Sequence, residues 1–228
     1  MSLSAIGPRG QYVLPHKNRD GGAPSDKPAP VPPSAPTPAK PSKPSKPMGP
    51  SALQRHVQFF DGNADRKITY SETKKGLEDL GVSKLVSWAG ALFINLGLAP
   101  QIAGKLTTTI DMNNIHKAKH AADTGTYDEK GNFVSERFKR VKTFDANNSQ
   151  SLSWAEMKTL MAANGKDFVG RIAAFGEFKL LHGLANDTTE TEDGKKVKAV
   201  SFERLSQLYD GTLFYRLTNR PLPDWGQK

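Results

Sequence analysis

The sequence predicts a mainly α-helical protein: helix–loop–helix units with short loop strands, an inserted apolar helix, and a disordered N-terminal arm rich in Pro and Lys. Three observations predict this fold. Two loops with the same polar spacing begin at Asp61 and Asp145, residues 85–99 carry no charge, and residues 23–50 contain eleven prolines and almost nothing that could be buried. We therefore expect an arm over residues 1–50 and a folded domain over residues 51–228.

Composition excludes several classes of function. Seven of the basic residues lie in the first 50 positions, so the pI of 9.6 is weak evidence for nucleic-acid binding, and no nucleic-acid-binding motif is present. The absence of cysteine excludes disulfides, iron–sulfur clusters and thiol catalysis. The N-terminus lacks the apolar core of a signal peptide. The basic arm is a spacer or an electrostatic tether to an anionic lipid surface.

The first element of the folded domain is a helix that leads into a loop with EF-hand spacing. Leu53, His56 and Val57 recur at helical spacing after Ser51, which suits a helix cap. Calcium takes six to eight oxygen ligands, and the spacing of the loop wraps oxygens around one point. The predicted ligands at loop positions one, three, five, seven, nine and twelve are Asp61, Asn63, Asp65, the carbonyl of Lys67, Thr69 and Glu72.

One residue of this loop departs from the EF-hand pattern. Arg66 stands where glycine normally makes the sharp turn, and a left-handed backbone costs a non-glycine residue about 1–2 kcal/mol. We expect a weakened calcium affinity. The alternative interpretation is a turn between helices that is merely rich in Asp and Asn.

A second loop repeats the spacing 84 residues later. It has only two carboxylates, and Gln150 replaces the glycine, so a second calcium site and a structural turn are both open interpretations. The ligand positions are occupied by Asp145, Asn147, Ser149, Ser151, Ser153 and Glu156.

The ends of the two loops are echoed elsewhere in the chain. "FVSERF" (133–138) and "AVSFERL" (199–205) resemble the loop endings but have no ligands upstream. They predict four EF-hand-like units in two pairs, with strand pairing near Ile68 and Leu152. A Ser or Thr before a helix is also a common cap, which is the competing explanation.

The apolar segment over residues 85–99 is expected to end at Pro100. Fifteen helical residues span about 22 Å, against about 30 Å of bilayer hydrocarbon, so the segment is too short to cross a membrane comfortably. It is a core helix, a segment lying in a lipid interface, or a wall of an apolar pocket.

Two histidines mark the centre of the chain, in "NNIHKAKHAADTGTYDEKGNF". On a helix, His116 and His120 would point the same way and could share a ligand. No third protein ligand for zinc is obvious nearby.

Three segments together resemble the caleosins, a family of lipid-droplet-associated proteins. They are "LQRHVQFFDGNADRKITYSET", the histidine segment, and "YDGTLFYRL", and the resemblance runs from about Ser51 to Leu217. It implies calcium and haem as cofactors, with His56 and His120 as the axial haem ligands. It also implies a peroxygenase that transfers oxygen from fatty-acid hydroperoxides to unsaturated fatty acids or other acceptors, and so takes part in oxylipin chemistry.

The resemblance leaves alternatives of function and location open. The chain lacks the proline-rich knot of plant caleosins, so the expected location is a lipid droplet, a membrane periphery or the cytosol, without a transmembrane helix. The alternatives to the enzyme are a non-catalytic calcium-binding protein of a lipid surface and an EF-hand calcium sensor that binds a partner helix.

Overall fold

Helices dominate the folded domain, as the sequence predicts. The computed structural model describes residues 49–118, 124–164 and 168–225, with residues 168–173 as backbone only. Within these ranges the protein has eight α-helices, one 3-10 helix and five short strands. The predicted disordered arm lies outside the described residues, apart from its last two positions.

The N-terminal half is built around the first loop. Ser51 caps the first helix as predicted: its side chain accepts from the backbone N–H of Gln54, and the side chain of Gln54 accepts from the backbone N–H of Ser51. The elements in order are α1 (Ala52–Gln58), β1 (Lys67–Ile68), α2 (Tyr70–Asp79), α3 (Lys84–Ala103), β2 (Ile110–Asp111) and a 3-10 helix (Met112–Lys117).

The C-terminal half is built around the second loop and a β-hairpin. Its elements are α4 (Ser135–Lys142), β3 (Ser151–Ser153), α5 (Trp154–Asn164), α6 (Phe168–Ala185), β4 (Thr188–Glu192), β5 (Lys195–Ser201), α7 (Phe202–Asp210) and α8 (Leu213–Leu217). The three strands form one antiparallel sheet in the order β3-β5-β4.

Each loop strand has a partner, but the predicted grouping into four EF-hand-like units is not confirmed. Leu152 of β3 pairs with Val200, inside the echo at 199–205. Ile68 of β1 instead pairs with Ile110, which the sequence analysis did not single out. The echo at 133–138 leads into α4, the helix that precedes the second loop, and its Phe133 forms an isolated antiparallel bridge with Tyr127 rather than pairing with β1 or β3.

The apolar helix α3 is longer than predicted. Pro100 lies in its last turn, where burial of Ala99 and Ile102 holds the helix despite the hydrogen bond that proline cannot donate. Among the described residues, α3 is the one helix whose length and apolar composition would allow it to cross a bilayer. Its 20 residues span about 30 Å, although a third of its apolar window is buried in the protein.

The paired loop strands lie at the centre of the two main hydrophobic clusters. Ile68 and Ile110 pack with Met112 in one cluster, and Leu152 and Val200 are fully buried in the other. Burying a Leu, Ile or Met side chain contributes about 1.5–3 kcal/mol, so these strands hold both loops firmly against the helices.

Candidate functional site

His56 lies near the C-terminal end of α1, half-buried against α7 and α8. Its Nδ1 is 3.3 Å from the carbonyl oxygen of Leu208, and its ring centroid is 4.7 Å from that of Phe214. An imidazole that donates from Nδ1 to a backbone carbonyl presents Nε2 as the nitrogen that can ligate a metal. The surroundings of His56 therefore suit a metal-ligating histidine.

A glycine permits this close approach of α7 to α1. Gly211, which ends α7, has φ of +86°, and a Cβ at this position would lie 2.7 Å from the carbonyl oxygen of Ala52, the Cβ of Arg55 and the backbone nitrogen of His56. No other residue type fits without moving one of the two helices. Gly211 thus sets the position of His56 relative to Leu208.

His56 also lines an apolar cavity of about 220 Å³. The cavity is bounded mainly by α1, α2, α3 and α6. Ile94 and Leu98 come from α3, so the predicted apolar segment does form part of a pocket wall. The other apolar lining residues include Leu53, Val57, Phe60, Leu77, Phe178, Leu181, Leu184 and Phe214.

A short chain of hydroxyl groups borders the cavity. The hydroxyl of Thr124 is 2.7 Å from that of Thr126 and 3.0 Å from that of Tyr209. All three residues are buried, and Thr124 and Tyr209 line the cavity. Thr124 and Thr126 fall inside the quoted histidine segment and Tyr209 inside "YDGTLFYRL", but nothing in the sequence indicates that Tyr209, 85 residues after Thr124, meets these threonines.

The first loop folds back on its own carboxylates. Asp61 accepts hydrogen bonds from the backbone N–H groups of Asp65 and Arg66, at 3.2 and 3.0 Å. At the other end, Glu72 accepts from the backbone N–H of Thr69 at 2.9 Å. A Cβ at Gly62 would lie 3.9 Å from Oε1 of Glu72, so the start and the end of the loop approach each other. This oxygen-only donor set fits a hard cation such as calcium.

Arg66 occupies the glycine position with a left-handed backbone, φ of +64°. Two contacts offset the strain: its Nε donates to Oδ1 of Asn113 at 2.7 Å, and its carbonyl accepts from the N–H of Met112 at 3.0 Å. The loop is therefore tied to the 3-10 helix that carries His116.

The second loop has the same backbone wrap. Asp145 accepts from the backbone N–H groups of Ser149 and Gln150, each at 2.9 Å, and Gln150 has φ of +62°. Burial raises the pKa of the Glu156 carboxyl; backbone hydrogen bonds oppose this effect, and the charge of Glu190 adds to it. Glu190 belongs to β4, so a third carboxylate reaches a loop whose sequence has two.

His116 lies in the 3-10 helix rather than in an α-helix. The 3-10 helix ends at Lys117, and Ala118 is extended with ψ of 129°. His116 is exposed. His120 lies outside the described residues, so its assignment as a haem ligand stays a prediction.

The donor chemistry around His56 would suit a haem ligand, since a neutral imidazole in apolar surroundings is a normal ligand for haem iron. The cavity of about 220 Å³ is smaller than the roughly 300–1,000 Å³ of clefts that take drug-sized ligands. Binding of a macrocycle would therefore require lining side chains to move.

Comparison with known proteins finds named relatives that are similar to this chain in sequence. A family model described as "Caleosin related protein" matches residues 49–218. A "probable peroxygenase 4" of Arabidopsis thaliana is 37% identical over 72% of this chain and 84% of its own length. A "peroxygenase" of Lilium longiflorum is 33% identical over 73% and 70%. A "probable inactive peroxygenase-like protein" of Arabidopsis thaliana is 29% identical over 66% and 72%. No solved structure matches the chain.

Proposed function

The chain belongs to the caleosin family, and on that premise we propose that it is a haem-dependent, calcium-modulated peroxygenase. Its substrates are fatty-acid hydroperoxides, which give up oxygen, and unsaturated fatty acids or other acceptors, which receive it. The observation that carries the proposal is His56 in the wall of an apolar cavity, with its Nδ1 at the Leu208 carbonyl. Two relatives named as peroxygenases support the reaction class.

The described residues divide the work of such a site. His56 would hold haem on one side, with His120 proposed as the second ligand. When bound, haem supplies the iron centre at which peroxide O–O bonds are cleaved. The walls at Ile94 and Leu98 hold an acyl chain and exclude water, and the hydroxyls of Thr124 and Tyr209 offer hydrogen bonds to a polar head group.

Calcium at the first loop would act on the position of His56. The loop begins five residues after this histidine, and the N–H of Asp61 donates to the carbonyl of Gln58 in the last turn of α1 at 3.2 Å. A cation that draws the oxygens of Asp61–Glu72 together would stiffen the end of α1. This link is the proposed physical basis for calcium modulation.

The exposed side of α3 supports peripheral association with a lipid droplet or membrane surface. Leu85, Trp88, Phe93 and Leu96 are 45–76% exposed and lie along one helix. Leu96→Asp should reduce flotation with phospholipid vesicles. Leu222→Asp, at a leucine of nearly equal exposure in the C-terminal tail, should not. Removing residues 1–50 tests the proposed tether separately.

A non-catalytic calcium-binding lipid-surface protein is the second candidate. The similarity to a relative named as probably inactive favours it, because that relative is 29% identical to this chain. The two candidates share the calcium loop and the apolar helix and differ in haem binding and turnover.

Haem titration followed by an activity assay separates the candidates. Purified protein supplied with haem should develop a Soret band and oxidise an unsaturated fatty acid at the expense of a fatty-acid hydroperoxide. His56→Ala and His120→Ala should each lower haem occupancy, whereas the exposed His116→Ala should leave it unchanged. A wild-type protein that takes up no haem would refute the enzyme proposal, and full occupancy in His56→Ala would refute the ligand assignment.

A further inference from the structure

A cluster of carboxylates lies where the second loop meets the β4–β5 hairpin. Oxygens of Glu156, Glu190 and Glu192 lie within 4.8 Å of one another. Glu156 is the twelfth residue of the loop, and the other two alternate along β4, which places both on the same face of that strand. Glu156 and Glu190 are 34 residues apart in the sequence, so only the tertiary fold brings the loop and the hairpin together.

The oxygens around Ser149 outnumber the protons that could bridge them. The Ser149 Oγ is 3.4 Å from Oδ1 of Asp145, 3.4 Å from the carbonyl oxygen of Ser151 and 2.8 Å from the Oγ of Ser151, and it also contacts Oε2 of Glu190. A hydroxyl has one proton to donate. The Ser149 hydroxyl can therefore donate to only one of these neighbouring oxygens at a time.

Glu190 is the member of the cluster with a buried carboxylate oxygen that lacks a hydrogen-bond partner. Only 7% of the residue is exposed. Its Oε2 accepts from the Ser151 hydroxyl at 2.9 Å, but its Oε1 is buried and has no hydrogen-bond partner. A buried ionised carboxylate is costly unless it is paired or coordinates a metal. The missing partner of Oε1 is therefore a cation or a proton, and the neighbouring carboxylates of Glu156 and Glu192 favour a cation.

We propose that the second loop and the β4 strand together form a divalent-cation site for calcium, in which Glu190 supplies the carboxylate that the loop itself lacks. The loop contributes Asp145, Ser149, the carbonyl of Ser151 and Glu156. This site goes beyond the proposed peroxygenase function, which assigns calcium to the first loop, and it does not depend on haem.

The ligand chemistry selects calcium among common cations. All ligands are oxygens, which exclude a soft metal, and calcium accepts six to eight of them at 2.3–2.6 Å in flexible geometry. Two ligands on opposite sides of such an ion are about 4.6–5.2 Å apart. The carboxylate oxygens are no more than 4.8 Å from one another, so one calcium ion could contact all of them. Magnesium demands near-ideal octahedral geometry at shorter distances, which a mixed set from a loop and a strand satisfies less readily.

The site would tie the hairpin to the helix that supports His56. β5 pairs with β3 through Leu152 and Val200 and continues directly into α7. The carbonyl of Leu208 in α7 contacts His56. Calcium at the second loop would thus stabilise the segment that orients the histidine.

Calcium titration calorimetry on the full-length, metal-stripped chain tests the proposal. The wild type should bind two ions per chain, and Glu72→Gln should remove the ion of the first loop. Glu190→Gln should lose the other ion or weaken it by at least the roughly 10–100-fold that loss of an outer-shell partner costs. Glu203→Gln is the control, since this exposed glutamate on α7 makes the same chemical change outside the cluster.

Thermal unfolding separates a ligand from a merely structural side chain. In chelator, Glu190→Gln should unfold at the same or a higher temperature than the wild type, because the change removes a charge that repels Glu156. In saturating calcium, the unfolding temperature of the wild type should rise more than that of the variant. The proposal would be overturned if Glu190→Gln lowered the melting temperature equally with and without calcium. It would also be overturned if Glu190→Gln bound calcium as Glu203→Gln does, or if the wild type bound magnesium and calcium with equal affinity.

Discussion

Replacing Gly211 with alanine should test how α7 holds α1 and His56 in place. The substitution acts in two ways. It places a side chain on a backbone with φ of +86°, and it puts a Cβ 2.7 Å from three atoms of Ala52, Arg55 and His56. Two of these three atoms are backbone atoms of α1, so the helix itself must move.

The two effects have separable magnitudes. The left-handed conformation costs a non-glycine residue about 1–2 kcal/mol. Inserting a methyl group into a packed region adds about 1–3 kcal/mol. The free energy of unfolding should therefore fall by about 2–5 kcal/mol in total.

Gly81 provides a matched control for the first effect. It has φ of +87°, but a Cβ there would meet no atom within 4 Å. In urea unfolding, Gly81→Ala should cost only about 1–2 kcal/mol. Gly211→Ala should also weaken haem binding, because it displaces His56 from Leu208, whereas Gly81→Ala should not. Equal unfolding energies in the two variants would refute the idea that close packing at Gly211 positions α1.

Three further predictions concern single residues. Arg66→Gly should raise the calcium affinity of the first loop, since glycine avoids the left-handed cost of about 1–2 kcal/mol, and calcium titration against the wild type measures the change. Asn95→Ala should lower the free energy of unfolding by about 1–3 kcal/mol, because its buried amide donates to the carbonyls of Ile68 and Thr108; a urea midpoint equal to that of the wild type would contradict this role. Hydrogen bonds from Asn132 hold the pKa of the Asp128 carboxyl below its usual value, so its contribution to stability is present above the unfolded-state pKa and is lost as pH falls through the lower folded-state pKa. Melting temperatures between pH 5 and 2 should therefore fall more steeply in the wild type than in Asp128→Asn, and parallel curves would argue against it.

Features encoded in consecutive residues were predictable. The cap at Ser51, the wrap of the first loop and the left-handed backbone at Arg66 all follow from neighbouring residues, because caps and turns are decided by hydrogen bonds over two to five positions. The length of α3 was not predictable in the same way. A proline usually ends or kinks a helix. Here the burial of Ala99 and Ile102 outweighs that effect, and α3 continues past Pro100 to Ala103.

Features that join distant segments came only from the folded chain. Ile110 carries no sign that it pairs with Ile68, since any apolar residue could fill that strand position. Likewise, Glu190 resembles a surface residue of a polar strand until β4 brings it to the second loop.

Short-range sequence patterns were thus enough to predict a mainly helical domain and the wrap of the two loops, and the resemblance of three segments indicated the family. The surroundings of His56, the cavity beside it and the third carboxylate of the second loop required packing between α1, α7 and the β4–β5 hairpin. These features form from side chains that lie far apart in the sequence. Short-range sequence patterns do not predict which distant side chains will come into contact.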